Sequence, residues 1–434
     1  MSVPVAVIGG GWAGMAAAVT LSGAGRVVCV FETARLLGGR ARRIDLGERT
    51  LDNGQHILLG AYTQTLSLLR TVHGEGAARE LFDRRRLHLE QPGVFRLKTP
   101  PLPAPWHLAT ALLTAQGLSR GERLSTVAFV RRLRHGRYRC AAQLTVAALL
   151  ADQPEAAVKL LWEPLCVAAL NTPIDAASGH VFLNVVRAAF AGHARDSEML
   201  IPRVDLTALF PAPAAAYVQT RGGEVRPGEA VSRVTPLADS VQVATGTREE
   251  RFAAALIAVG PHQLADLLSP PRGDAASVAL GQVAAFAYEP IHTTYLHYPR
   301  PLDLSLPMLK LDGDPGQWLF DRGQLGGPTG LAAVVISTAV EATARLAHGA
   351  LAQAIDAQLR RLIPDLPQPT WAQTIAERRA TYACAAGLAR PAPGALQSRL
   401  YLAGDYTDAE FPATLEAATR SGVAAARQLL AAHA

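Results

Sequence analysis

The chain is poor in cysteine, has no long apolar run and lacks several common catalytic motifs. Each shortage excludes a class of protein. The four cysteines, Cys29, Cys140, Cys166 and Cys384, form no CxxC pair and no secreted framework. A disulfide scaffold and a zinc ribbon are thereby excluded, and free thiols in a reducing cytosol are expected. No charge-free apolar stretch reaches the ~18 residues that a membrane-spanning helix needs. No basic leader with a cleavage site precedes the first strand-like run, so the expected location is cytoplasmic. No H-E-x-x-H motif occurs among the 12 histidines, and His292 and His297, an odd number apart, would face opposite sides of a strand. No metal site is expected. With neither zinc-finger spacing nor an RNA-binding aromatic motif, nucleic acid is not an expected partner. The formal charge of +6 suits an anionic ligand or an anionic membrane surface instead.

What is present is a chain of 434 residues, 49% hydrophobic, able to bury a large core in about two or three domains. Residues 3–8 are continuously apolar, as a strand buried on both faces of a parallel sheet requires. Gly9-Gly10-Gly11-Trp12-Ala13-Gly14 follows at once, a G-x-G-x-x-G fingerprint that leads into a helix over 15–22, closed by Gly23 and Gly25. A second strand over 27–31 ends in Glu32. Gly9 permits the tight turn, Gly11 lets backbone approach a pyrophosphate, and Gly14 allows close helix–strand packing. The helix N-terminus supplies oriented N–H groups to the phosphates, Trp12 and Ala13 of the fingerprint count with its glycines as cofactor-binding candidates, and Glu32 accepts from a ribose hydroxyl. An acid at that place, with no base beside it, argues against a 2′-phosphate and leaves FAD or NAD.

Leu36-Leu37-Gly38-Gly39-Arg40-Ala41 comes next. Gly38 and Gly39 let the backbone curl near a phosphate, and Arg40 can neutralise it. Here the sequence resembles the amine-oxidase and phytoene-desaturase flavoproteins, in which Gly-Gly-Arg follows the first βαβ unit. The resemblance implies FAD as cofactor and a partner motif near the far end. Leu400-Tyr401-Leu402-Ala403-Gly404-Asp405 fills that place, and in such proteins the aspartate holds the ribityl or pyrophosphate portion of FAD. A helix opened by Pro412-Ala413-Thr414-Leu415 would then point its N–H groups at the flavin pyrimidine carbonyl. Ala417 stands where relatives often carry glycine. Val231 lies where relatives set backbone against adenine.

Strands over 224–234, 241–243 and 252–259 read as a return to the cofactor domain. The expected fold class is α/β: a discontinuous Rossmann-like FAD-binding domain, from 1–85, 216–265 and 386–434, with an α+β substrate domain from 86–215 and 266–385. No second G-x-G-x-x-G unit exists, so the electron donor to the flavin must reach it without a nicotinamide domain of this chain. An apolar helical stretch over 106–118 precedes Arg120, Arg123, Arg131, Arg132, Arg134, Arg137 and Arg139. That pattern fits peripheral contact with an anionic membrane and fits equally a packed helix with a solvated basic face.

Four further stretches narrow the resemblance: LDNGQHILLGAY (51–62), WEPLCVAALNTP (162–173), LIPRVDLTALFPAPA (200–214) and GDYTDAEFPATLEAATRSG (404–422). Together they are similar to the hydroxysqualene dehydroxylase family over essentially the whole chain. The family's reaction replaces an allylic hydroxyl on a long-chain isoprenoid by hydrogen, with reduced FAD as donor, in squalene and hopanoid biosynthesis. The resemblance sets LDNGQH beside the flavin, with Gly54 as a close-approach point and Gln55 and His56 facing the reaction. Hydroxide leaves poorly, so an acid must protonate it, and His56, which titrates near neutrality, is the candidate. A His56 that only hydrogen-bonds flavin or backbone is the equal alternative. A carotenoid desaturase, an amine oxidase or a prenyl-lipid escort would share the fold, although Glu32, Arg40 and Asp405 argue against the escort.

Overall fold

A computed structural model describes residues 3–246, 248–268, 274–338 and 348–433. Its α/β framework is a six-stranded sheet in the order Glu224–Pro227, Val28–Glu32, Val5–Ile8, Ala254–Ile257, Leu400–Leu402, Gly394–Gln397. The first five strands run parallel and the last is antiparallel to its neighbour. Val5–Ile8 and Ala254–Ile257 are buried at every position, which is why each reads as an unbroken apolar run. Helices Trp12–Gly23 and Leu415–Ala432 cross tightly beside this sheet. A Cβ on Gly422 would lie 2.1 Å from the Ala13 carbonyl oxygen, so only glycine lets the two backbones approach this closely.

A second, antiparallel sheet runs in the order Met308–Lys310, Trp318–Asp321, Leu331–Ser337, Tyr288–His297, Trp371–Tyr382. Ile8, Phe31 and Leu402 of the parallel sheet share one apolar cluster with Tyr295, Phe320 and Tyr382 of the antiparallel one. The two sheets therefore share one apolar core. On Tyr288–His297, His292 is buried while His297 stacks on Trp371 at 5.7 Å, the opposite-face arrangement that their odd spacing implies.

Several elements differ from the sequence-based expectation, each for a local reason. The run 224–234 is two strands. It breaks at Gly228, in the left-handed region at φ 81°, after which Val231–Pro236 joins an antiparallel meander with Val241–Thr245 and Glu249–Phe252. Phe252 closes that meander, so only Ala254–Ile257 of the run 252–259 enters the parallel sheet. The helix over 106–118 ends at Leu113, because Gln116 pairs with Arg96 and Gly117 (φ 89°) sits on the Val94 carbonyl. The last helix starts at Leu415, with Thr414 as its N-cap, and continues to Ala432.

Candidate active site

A cavity of about 620 Å³ opens where the C-terminal ends of the parallel strands meet the antiparallel sheet. Of the residues expected to bind a dinucleotide, Gly9, Gly11, Trp12, Ala13, Glu32, Gly39, Arg40, His56, Val231, Gly404, Asp405, Thr414 and Leu415 line it. Gly14, Gly54 and Gln55 do not.

The cradle is built from two glycine segments. Gly11 and Gly38 form a parallel bridge, and a Cβ on Gly39 would sit 3.3 Å from the Gly11 Cα, so a gap between two backbones faces the cavity without side chains. Gly14 lies behind this surface. A Cβ there would be 1.9 Å from the Gly9 carbonyl oxygen, which makes it a packing residue between helix and strand. The helix starting at Trp12 carries no side-chain cap and no acid in its first turn. Its unclaimed N–H groups and partial positive charge fit a pyrophosphate. Glu32 accepts from Gly10 N and Ala34 N, each at 2.8 Å, which fixes its carboxylate at the cavity wall. Trp12 is held by a bond from its indole N–H to the Ala41 carbonyl at 3.0 Å and by a tilted contact with Phe210.

Arg40 donates to Asp405 Oδ1 at 2.6 Å and to the Ala380 carbonyl at 2.9 Å, joining the first glycine unit to both the C-terminal motif and the antiparallel sheet. Burial works against the Arg40 charge, but the Asp405 carboxylate outweighs it and holds the guanidinium raised. Thr414, which also lines the cavity, caps the C-terminal helix by accepting from Ala417 N at 3.1 Å. Ala417 is fully buried, so the methyl that replaces a glycine hydrogen packs on protein.

The segment Leu51–Tyr62 is fastened along its length. Asn53 Nδ2 donates to the Arg40 carbonyl and to Glu377 Oε2, each at 3.0 Å. Asp52 accepts from Leu206 N at 2.8 Å, and its backbone carbonyl accepts from the Tyr295 hydroxyl at 2.8 Å. Burial pushes the Asp52 carboxyl up to about 7, against the opposing pull of the Leu206 amide and Arg322. Gln55 is turned away from the cavity: its Nε2 donates to Tyr295 Oη at 2.8 Å and its Oε1 accepts from Arg322 at 3.3 Å. Gln55, expected to act in catalysis, has both ends of its amide engaged in the wall and is not among the residues that line the cavity. Gly54 also stands back from the lining, with no protein atom closer than 3.8 Å to a Cβ placed on it.

His56 does reach the cavity. Its Nδ1 is 3.1 Å from the Gly54 carbonyl, an acceptor, so Nδ1 carries hydrogen and Nε2 is the nitrogen left for a ligand. Burial lowers its pKa, and Arg40 adds to the effect. Sequence reasoning missed Glu377, Arg42 and His262, which also line the cavity. Glu377 lies in the middle of a long strand with no motif around it, so only the fold brings it to Asn53. None of the four cysteines lines this cavity, and burial raises Cys29 and Cys166 to about 12 and Cys384 to about 11. Gly117-Leu118-Ser119-Arg120-Gly121 matches the letters of a serine-hydrolase elbow. Ser119, however, caps a helix through Glu122, and among the described residues it has no hydrogen bond to a histidine and no strand directly before it.

A family model described as flavin containing amine oxidoreductase matches residues 12–430. The chain belongs to that family. It is 30% identical to a hydroxysqualene dehydroxylase of Rhodopseudomonas palustris, with 100% of this chain and 99% of that one covered. A second protein of that name, from Sinorhizobium fredii, is 27% identical over 97% of each. Among solved structures a putrescine oxidase variant superposes with TM-score 0.75 at 15% identity, covering 99% of each chain. An oxidoreductase of Methanosarcina mazei gives 0.74 at 17%, covering 97% of this chain and 99% of that one. The protein is thus an FAD-dependent oxidoreductase of the amine-oxidase fold. The glycine cradle, the uncapped helix N-terminus and the cavity-lining Glu32 carboxylate fit the cofactor. Among the described residues no helix is long and apolar enough to cross a membrane, and no group of acidic, histidine and cysteine side chains could hold a metal ion.

Proposed function

We propose that this protein is a hydroxysqualene dehydroxylase, which replaces the allylic hydroxyl of a long-chain isoprenoid alcohol by hydrogen to give squalene. The end-to-end match to relatives of that name carries the reading. Reduced FAD, when bound, supplies the hydride. The chain's own residues have three tasks: to fix the cofactor, to protonate the departing oxygen and to keep the allylic cation from water.

His56 is assigned the proton. Its Nδ1–H is tied to the Gly54 carbonyl, so protonation of Nε2 creates an acid held in one orientation toward the cavity. Burial lowers its pKa and makes the imidazolium a strong donor, at the cost of a small protonated fraction at neutral pH. Glu377 lines the same cavity and is held by Asn53, where its carboxylate opposes the positive charge on the allyl unit. Domain organisation follows the same division, with 1–85, 216–265 and 386–434 holding FAD and 86–215 with 266–385 holding the alcohol; residues 269–273 and 339–347 lie outside the described residues. The electron donor is a separate molecule that meets the flavin from outside. The substrate dissolves in lipid, so it is collected from a bilayer.

The test is anaerobic incubation of the reduced holoenzyme with hydroxysqualene, following squalene and flavin reoxidation together. Squalene formed in step with reoxidation supports the assignment. A yellow, reducible protein that gives neither overturns it, and turnover of phytoene instead would identify a desaturase.

A further inference from the structure

Five of the nine exposed large apolar side chains among the described residues lie together. Val94, Leu102, Trp106, Leu113 and Leu124 fall within one short span, with Trp106 at 63% and Leu124 at 61% exposure. They are also close in space. Gly117 rests on the Val94 carbonyl, and the helices Trp106–Leu113 and Arg120–His135 pack on each other. Arg123 donates to the carbonyls of Leu113 and Leu118. Helix Trp106–Leu113 turns His107, Ala111 and Leu112 inward, while Trp106 and Leu113, two turns apart, share the outer face. Helix Arg120–His135 buries Thr126, Phe129 and Leu133 and presents Leu124 on the other side. Core packing is satisfied on the inner faces, so it does not account for the outer ones.

Charge is concentrated on the same span. Residues 92–140 hold nine lysines and arginines against a single acid, Glu122, a larger excess than the +6 of the entire chain. Glu122 is spent on the capping box with Ser119. Of the helix and loop arginines from Arg120 to Arg139, only Arg132 comes within ion-pair distance of a carboxylate among the described residues, at 3.9 Å from Asp152. Unpaired guanidinium groups around a tryptophan and three leucines match an anionic headgroup layer over an acyl interior.

We propose that this face, centred on Trp106, Leu113 and Leu124 and ringed by Arg120, Arg131, Arg134 and Arg137, seats the protein on an anionic phospholipid bilayer. The proposal rests on the isoprenoid reading of the active site for its purpose, since the substrate dissolves in such a bilayer, but its geometry is independent of that reading. Protruding apolar side chains enter the acyl boundary, and the arginines bind phosphate around them.

The test uses holoenzyme and sedimentation with vesicles of phosphatidylcholine alone or mixed with phosphatidylglycerol. Partitioning is expected to be at least ~10-fold stronger on the anionic vesicles and to weaken as salt rises. Trp106→Ala with Leu124→Ser, and separately Arg131→Glu with Arg134→Glu, are each expected to reduce it by about 10-fold or more, with flavin content and melting temperature unchanged. The same variants should turn over hydroxysqualene in detergent as the parent does and lose rate only with vesicle-borne substrate. Equal binding to both vesicle types, or wild-type binding that survives both pairs of substitutions, overturns the docking face. So does binding to polyglutamate without binding to vesicles, which marks an acidic protein partner. Absence of turnover in detergent counts against the substrate assignment and leaves the vesicle result standing.

Discussion

Asp52 offers the most quantitative test of how the segment beside the cavity is built. Its carboxyl is buried beside Tyr295 and Leu206 and is pushed from 3.8 up to about 7. In the unfolded chain it ionises at the lower value. Folding therefore favours the protonated form, and as pH rises from 4 to 7 the native state must either hold its proton or ionise in the wall. Stability is lost across that window, fully present below it and fully lost above about 7. A gap of roughly three units at about 1.4 kcal/mol each sets a ceiling of about 4 kcal/mol.

Asp52→Asn removes the titration while keeping the shape and an oxygen for the Leu206 amide. At about 2.1 cal/mol/K per residue, a chain of 434 residues has an unfolding entropy near 0.9 kcal/mol/K, so each kcal/mol moves the midpoint by about 1 °C. The difference in melting temperature between variant and parent should widen by about 2–3 °C in favour of the variant between pH 5 and pH 8. Circular dichroism and release of flavin fluorescence, recorded on holoenzyme at both pH values, read it. A difference that stays constant, or that moves toward the parent, would show that Arg322 holds Asp52 ionised and that the burial argument is wrong.

The remaining predictions concern the cofactor and the proton. His56→Ala should keep the bound-flavin spectrum and lose turnover; kcat of the parent should fall as pH rises through a pKa below 6.5, and retained activity with the same pH profile would reduce His56 to a structural role. Gly14→Ala, forced against the Gly9 carbonyl, should cost about 1–3 kcal/mol of stability even without cofactor, visible in the melting of apoprotein. Gly54→Ala meets no protein atom closer than 3.8 Å and should leave apoprotein melting unchanged; an accompanying loss of FAD affinity by titration would place the flavin against Gly54, and unchanged affinity would remove it from the contact. Asp405→Ala strands the Arg40 charge, and FAD affinity should drop by at least ~10-fold, with Asp405→Asn milder; equal losses in both would mean that charge is not what Asp405 supplies.

The local chemistry of the cofactor end was legible because it is written in contiguous residues. Gly9 to Gly14 lie between two strands, and their steric demands are met within that unit, so spacing alone identifies a dinucleotide cradle. The polar residues of LDNGQH were a different matter. From sequence, Gln55 and His56 are adjacent and equivalent, yet one points at Tyr295 and Arg322 and the other at the cavity. That choice is made by strand Tyr288–His297 and by Arg322, both more than two hundred residues away. Glu377 was invisible for the same reason: it acquires meaning through Asn53. The family-narrowing stretch around Asn171 proves to be joinery. Asn171 takes the left-handed conformation at φ 46°, donates to Thr381 Oγ1 at 2.9 Å and accepts from Thr338 N at 3.0 Å, fastening the helical region to strand Trp371–Tyr382 and to the residue that follows strand Leu331–Ser337.

The placement of buried carboxylates suggests why a glycine-containing loop can serve as an active-site wall. Asp52 accepts the Leu206 amide next to Asp205, which caps the same short helix through Thr207 N and Ala208 N. Glu416, in the first turn of the C-terminal helix, accepts from Gln64 N at 3.0 Å and from Thr65 N at 2.9 Å, the first turn of the helix that follows the loop. Both ends of the segment 51–62 are thus anchored at helix N-termini, where a carboxyl oxygen accepts backbone N–H groups that have no partner within the helix. Asn53 and Gln55 pin the middle from two further directions. Among the described residues the His56 ring has one hydrogen bond, to Gly54, so its position is set by these neighbours. An acid that must meet a hydroxyl within hydrogen-bond reach gains from a rigid mount more than from a tight hold on its own ring, because Nε2 has to stay free to give up its proton.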